Sequence, residues 1–343
     1  MSLFAFGPSR GPRWQLGLQA AVGLSMPIAV MTLLGQPLLG YIAASGAFTV
    51  LFVGSLPVVE RAVMLPFVAA GLVVCATLGV AAAHAPLLIS IGIVLIATVS
   101  AALAFGFRLG PPGPLFFVLV FGLSATVMRS APITPAGYIA AIASGCAFSY
   151  LVAISPLLLT RVRARHARPL RELFPGPSWD ATARMLVLRV VLVSVAGVTV
   201  SSALDPARAY WIVGAAVAVV GIASSRRAAL QRATHRLLGT IVGAGVYALL
   251  ALLHPSGLWL AALLGALQFS IELVVVRHYA LALALITPLV LLLLGAATGS
   301  TGDMSVALER VVDTLAGAAL GAVSGLLHPR REPRDHPAVQ PGG

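Results

Sequence analysis

The chain has 343 residues, 59% of them hydrophobic and 9% charged, and its mean hydropathy is +1.01. Soluble domains carry about 25% charged residues, so this composition excludes a water-soluble globular protein. All 22 basic residues are arginine, against 10 acids, for a formal charge of +12; with so few charges, their position carries the information.

The apolar residues fall in continuous runs of about 17 to 25, the length an α-helix needs to cross the ~30 Å hydrocarbon layer. Continuous runs, rather than alternating ones, exclude a membrane β-barrel. The expected fold is therefore an all-α polytopic membrane protein. With Gly, Pro and charge as punctuation, twelve spans are predicted at 15–34, 38–57, 62–82, 86–106, 114–129, 136–157, 184–204, 208–223, 236–254, 257–276, 279–299 and 307–327, the fifth and eighth being short.

In chain order, 1–14 is a cytoplasmic N-terminal segment. Arg10 and Arg13 precede a run broken by Pro27 with no A-x-A site after it, so the first helix is expected to be retained. A first membrane repeat covers 15–157. The stretch 158–183 is rich in arginine and contains Pro169, Pro175, Gly176 and Pro177, as a cytoplasmic linker would be. A second repeat covers 184–327, and 328–343 is a charged, Pro-rich tail with the composition of disorder. Cys75 and Cys146 lie inside apolar runs and read as packing residues.

Charge sets the orientation. With the N-terminus in the cytoplasm, nineteen arginines fall on the cytoplasmic side and only Arg129, Arg208 and Arg310 on the other. This is a strong positive-inside bias, and it places both termini in the cytoplasm. The densest basic stretch, SSRRAALQRATHRLLGTIVG (224–243), is expected to be a cytoplasmic loop containing an interfacial amphipathic helix. There Arg227, Gln231, Arg232, His235 and Arg236 share one side of a helical wheel, with Leu230, Ala233 and Leu237 opposite. Its sharper interpretation is a cationic mouth for an anionic solute.

The two halves resemble each other. Residues 16–47 align with 186–218 at a nearly constant offset that pairs Gln19 with Arg189 and Tyr41 with Tyr210, and later Arg108 with Arg277. Six spans per half make this a parallel repeat, two six-helix bundles about an axis along the membrane normal with a path between them.

Four runs in the second half carry a family resemblance: YWIVGAAVAVV, RRAALQRATHRLLGTIVGAGV, VVRHYALALALITPLVLLL and ERVVDTLAGAALGAV. Over 184–327 the chain resembles the fusaric acid resistance-like family, which includes bacterial aromatic-acid exporters and is related to plant malate-activated anion channels. The resemblance implies an inner-membrane, multi-pass permease that exports organic anions, often aromatic carboxylates, on the proton gradient. Many relatives carry a large cytoplasmic domain between the halves, whereas the linker here is short.

Ionisable residues inside spans are functional candidates. Glu272, near the cytoplasmic end of the tenth span, has Gln268 one turn away; Arg189 at similar depth in the seventh span is its expected partner, in a structural pair or a proton-coupling one. Glu309, Arg310 and Asp313 cluster at the outer start of the twelfth span, where Arg310 and Asp313 can pair locally or the acids can serve the helix dipole. Pro111, Pro112 and Pro114, with Thr287–Pro288 at the matching place in the second half, suggest interrupted helices beside a transport site. The glycines at 239, 243, 245, 317, 321 and 325 suggest close helix contacts within the chain or in a homo-oligomer.

No H-E-x-x-H, G-x-S-x-G or P-loop occurs, and His84, His254 and His278 are scattered at span ends. An enzyme, a metal or a cofactor is therefore not expected, and no nucleic-acid partner. The leading expectation is a proton-driven exporter of organic anions, with Arg232, Arg236, Arg277 and Arg189 binding the substrate and Glu272 or Asp313 coupling protons. A passive anion channel and a non-transporting envelope or scaffold subunit are the alternatives; the expected partners are the anion, protons and the lipid bilayer.

Overall fold

The computed structural model describes residues 13–163, 168–173, 176–221 and 225–327. Most of the 1–14 segment, parts of the linker and the 328–343 tail, with Arg330, Arg331 and Arg334, lie outside the described residues.

Every regular element among the described residues is helical. The helices are α1 (Trp14–Leu33), α2 (Pro37–Leu51), α3 (Val58–Ala82), α4 (Pro86–Gly106), α5 (Leu115–Ser130), α6 (Pro135–Leu158), α7 (Ala181–Leu204), α8 (Pro206–Val220), α9 (Arg226–Ala251), α10 (Gly257–Val274), α11 (Tyr279–Thr298) and α12 (Met304–Leu327). Among the described residues, nine are long and apolar enough to cross a membrane; α2, α5 and α8 are shorter. Two single-turn helices, Thr160–Arg163 and Leu170–Leu173, follow α6. This is a multi-pass helical membrane protein: of the twelve spans expected, nine are matched among the described residues by helices of spanning length and three by the shorter α2, α5 and α8.

Local chemistry explains where the helices stop. Helix α2 was expected to reach residue 57 but ends at Leu51: Phe52 is extended, Val53 has a φ of 46°, and Pro57 precedes α3. A left-handed β-branched residue cannot continue a helix. Helix α11 runs unbroken through Pro288, so the expected interruption there is a tolerated proline, not a gap. Thr287 donates its hydroxyl to the Leu283 carbonyl 2.8 Å away, within the same helix.

The largest departure is α9. Ser225 caps it by accepting from the Ala228 amide at 3.2 Å, and the helix then runs 26 residues. That is about 39 Å, more than the bilayer core needs, so residues 226–236 form the first turns of a continuous span rather than a separate surface helix. Gln231, Arg232, His235 and Arg236 of its polar side are partly buried against the protein, while Arg227, Leu230, Leu238 and Val242 are exposed. Most of the face expected to lie among headgroups therefore packs on the bundle.

The halves meet along two seams, α1 on α10 and α4 on α7, and also through α2 on α11 and α5 on α8. Within the first half α2 packs on α6 and α3 on α5 and α6; within the second, α8 packs on α12 and α9 on α11 and α12. Helix α8 is the most enclosed element, with every residue from Ala209 to Val220 buried.

Glycines let these helices touch. A methyl on Gly317 would overlap the Ile212 carbonyl of α8, and one on Gly239 would overlap the Ala280 carbonyl of α11. In a bilayer, such close approach supplies the packing that hydrophobic burial supplies in water. Gly245 meets nothing within 4 Å. Cys75 and Cys146 are buried free thiols.

Candidate functional site

The ionisable side chains gather at two levels of the bundle. The arginine-rich level is built from the starts of α1, α3, α7, α9 and α11 and the ends of α2, α6, α8, α10 and α12. At its centre, the Arg232 guanidinium stacks 4.1 Å over the Tyr279 ring and donates from Nε to the Ala218 carbonyl at 2.7 Å, at the end of α8. One turn on, Arg236 donates from Nη1 to the Tyr279 hydroxyl at 3.0 Å. Both arginines are half-buried.

Beside them the His235 and His278 rings stack, their centroids 5.9 Å apart. His278 also caps α11, its Nδ1 accepting from the Leu281 amide at 3.1 Å. Arg277 is exposed on the turn just before this cap. Among the described residues no carboxylate is bonded to Arg232 or Arg236, while Arg236 Nε and His235 Nε2 are buried with no hydrogen-bond partner. Two guanidiniums, a phenol and the unsatisfied Arg236 Nε–H form a cluster that an anionic oxygen fits.

Arg189 lies behind this cluster, fully buried, donating from Nε and Nη2 to Ser324 Oγ at 3.2 and 3.1 Å. It is not the partner of Glu272. That carboxylate, 8% exposed, is held instead by Arg13 at the start of α1, through Nη2 to Oε2 at 2.9 Å and Nε to the Glu272 carbonyl at 3.2 Å. Gln268 donates to the other carboxylate oxygen at 3.4 Å, as its one-turn spacing predicts. The pair thus clasps the α1–α10 seam. At the same level of the α4–α7 seam, Arg108 meets Asp180 at 3.1 Å, both side chains well exposed. Asp180 also caps α7, and the Ala183 amide hydrogen bond is the main force holding its carboxyl below the usual range.

At the second level, Asp313 is completely buried on α12. Its nearest partner is Arg208, in the first turn of α8, at 2.7 Å; Arg310 is the expected i,i+3 neighbour but sits at 3.5 Å. Arg310 also donates to the Tyr210 hydroxyl at 3.1 Å and packs on Trp211. The N-cap of α12 is Asp303, not Glu309 or Asp313, so the acids expected to serve the helix start lie deeper. Asp313 is the anion of a buried two-arginine cluster.

A cavity of about 750 Å³ lies elsewhere, between α3, α4 and α5. Phe67, Leu78, Leu95 and Phe117 line it, with no charged side chain among the lining residues. Among the described residues no cluster of His, Cys, Asp and Glu could hold a metal ion.

Sequence reasoning missed four partners: Arg13, Arg208, Arg61 and the Glu60–Arg168 bond, whose two contacts are both 2.8 Å. A signal for Arg61 was present, because ERA at 60–62 parallels QRA at 231–233. Arg13 and Arg168 gave none, since each meets a residue far away in the chain.

These features define a polytopic helical membrane protein with a cationic cluster on its second half. Residues 181–324 match the family described as fusaric acid resistance protein-like. The Uncharacterized membrane protein YvaC of Bacillus subtilis (strain 168) is 29% identical over 153 residues, which is 45% of this chain and 24% of that protein. The chain thus spans about a quarter of the length of the curated relative it matches. No solved structure matches the chain.

Proposed function

We propose that this protein is a secondary transporter that exports organic anions, aromatic carboxylates among them, across the cell membrane on the proton gradient. The observation that carries the proposal is the Arg232–Arg236–Tyr279 cluster. It holds two guanidiniums with no bonded carboxylate among the described residues and an unsatisfied Arg236 Nε. The family match over the same half agrees with a transport role.

In this proposal Arg232 and Arg236 take the carboxylate, Arg277 guides it from the cytoplasm, and Arg189 adds positive potential from behind. Glu272 couples the proton. Charged, it holds Arg13 and keeps the α1–α10 seam closed; protonated, it releases Arg13 and lets the halves move. Asp313 is the second coupling candidate, acting through Arg208. In this reading both termini are cytoplasmic, from the arginine bias, and the helix contacts support a parallel six-plus-six repeat, since α1 on α10 has its counterpart in α7 on α4, α2 on α6 in α8 on α12, and α3 on α5 in α9 on α11.

Inside-out vesicles with an imposed proton gradient test the proposal, using a panel of hydroxybenzoates. Gradient-dependent accumulation that Glu272→Gln or Asp313→Asn abolishes is the expected result. Equilibration without accumulation would mark a passive anion channel. Absence of any protein-dependent flux from correctly inserted protein would refute the transport of these acids and favour a scaffold role.

A further inference from the structure

The polar contacts at the arginine-rich level occur twice. In the second half, Arg232 at the start of α9 donates to the Ala218 carbonyl at the end of α8, and Arg189 on α7 bonds Ser324 at the end of α12. In the first half, Arg61 at the start of α3 donates from Nη2 to the Val50 carbonyl at the end of α2, 2.9 Å away. Gln19 on α1 donates to the Ala153 carbonyl at the end of α6, 3.3 Å away. The four pairs Gln19/Arg189, Val50/Ala218, Arg61/Arg232 and Ala153/Ser324 fall in the same order on matching helices. In each half a short helix ends at an arginine carried by the next helix.

The Arg61 junction has an unbalanced charge. Arg61 is 4% exposed, and its described partners are neutral: the Val50 carbonyl and Gln19 Oε1, the latter at 3.1 Å. Glu60, the adjacent acid, has both oxygens occupied by Arg168. The carbonyl end of a helix such as α2 offers about half a negative charge, which leaves the guanidinium only partly compensated. Arg61 Nε is buried without a hydrogen-bond partner, and so is Ser149 Oγ, one turn before Ala153 on α6. A buried cation that keeps an unused donor is a place for a counter-ion.

We infer that the Arg61 junction is a second anion-binding site, at the place in the first half that the Arg232–Ala218 junction holds in the second, and taking a monovalent anion, either a carboxylate or chloride. The inference extends the anion reading of Arg232 to the first half, but it concerns occupancy and not flux. Gln19 in place of a second arginine, and Ala153 in place of Ser324, make it the less cationic of the two. It therefore binds the more weakly.

Equilibrium binding to the purified full chain in detergent tests this, with radiolabelled benzoate in one arm and radiolabelled chloride in the other. Wild type is expected to bind two anions per chain in at least one arm, and the arm that does so identifies the anion. Arg61→Gln and Arg232→Gln should each leave one, and the double variant none. Should Arg61→Gln fail to yield monodisperse protein, Arg61→Lys keeps the charge but loses the paired geometry, and should weaken one of the two sites at least tenfold. Wild-type stoichiometry in Arg61→Gln, unchanged affinities in Arg61→Lys, or fewer than two sites in wild type would overturn the inference. Two occupied sites without flux in vesicles would refute the transport proposal and leave this one standing.

Discussion

The Arg13–Glu272 clasp makes an asymmetric prediction about single substitutions. Glu272 is buried at 8% side-chain exposure and Arg13 is 32% exposed, so the two variants strand different charges. Arg13→Gln leaves a buried carboxylate with only the long Gln268 contact, and breaking a buried pair this way costs about 3–5 kcal/mol. Glu272→Gln leaves Arg13, whose long side chain can turn its head toward water or phosphates. Only the charge-assisted hydrogen bond is then lost, about 1.5–3 kcal/mol. The double variant has no stranded charge and should be more stable than Arg13→Gln alone. Reversible unfolding in mixed micelles, read by circular dichroism, gives the three values. Equal losses in the two single variants, or a double variant equal to their sum, would refute the coupling on which the proposed proton switch depends.

Three further outcomes are expected. Asp313→Asn should destabilise by about 3 kcal/mol or more, because it strands the buried Arg310 beside Arg208, and adding Arg208→Gln should restore part of the loss; the same unfolding assay measures both. Gly317→Ala should cost about 1–3 kcal/mol by forcing α12 off the Ile212 carbonyl, whereas Gly245→Ala, which meets open space, should be neutral or stabilising by up to about 1 kcal/mol; thermal unfolding ranks them. Asp303 caps α12, and hydrogen bonds from the Ser305 hydroxyl and amide hold its carboxyl below the ordinary value. A lowered carboxyl contributes stability above its unfolded-state pKa and loses it as pH falls through the folded one. Protection of the amides in the first turn of α12, read as hydrogen exchange normalised to the intrinsic rate at each pH, should therefore fall at acid pH, and Asp303→Asn should remove that acid-dependent loss.

Much of this protein is determined by local sequence. Spans such as 86–106 coincide with their helices because an apolar run bounded by Pro86 and a glycine-rich turn needs no distant information: in hydrocarbon the backbone must satisfy itself within one segment. The QRATHR turns likewise announce a cationic cluster, since charge in an apolar chain is conspicuous wherever it folds. The Gln268–Glu272 contact follows from helical periodicity alone.

Tertiary structure decided which way charges face and whom they meet. Helical periodicity put Arg232 and Arg236 on one side of α9, but only the packing of α9 against α11 turned that side toward Tyr279 instead of the headgroups. Arg189 and Glu272 lie at similar depth in their helices, yet depth gives no azimuth, so Arg13 holds the carboxylate and Ser324 the arginine. Asp313 found Arg208 before its own helical neighbour for the same reason: a bundle brings together residues far apart in the chain, and hydropathy records only how deep each one sits.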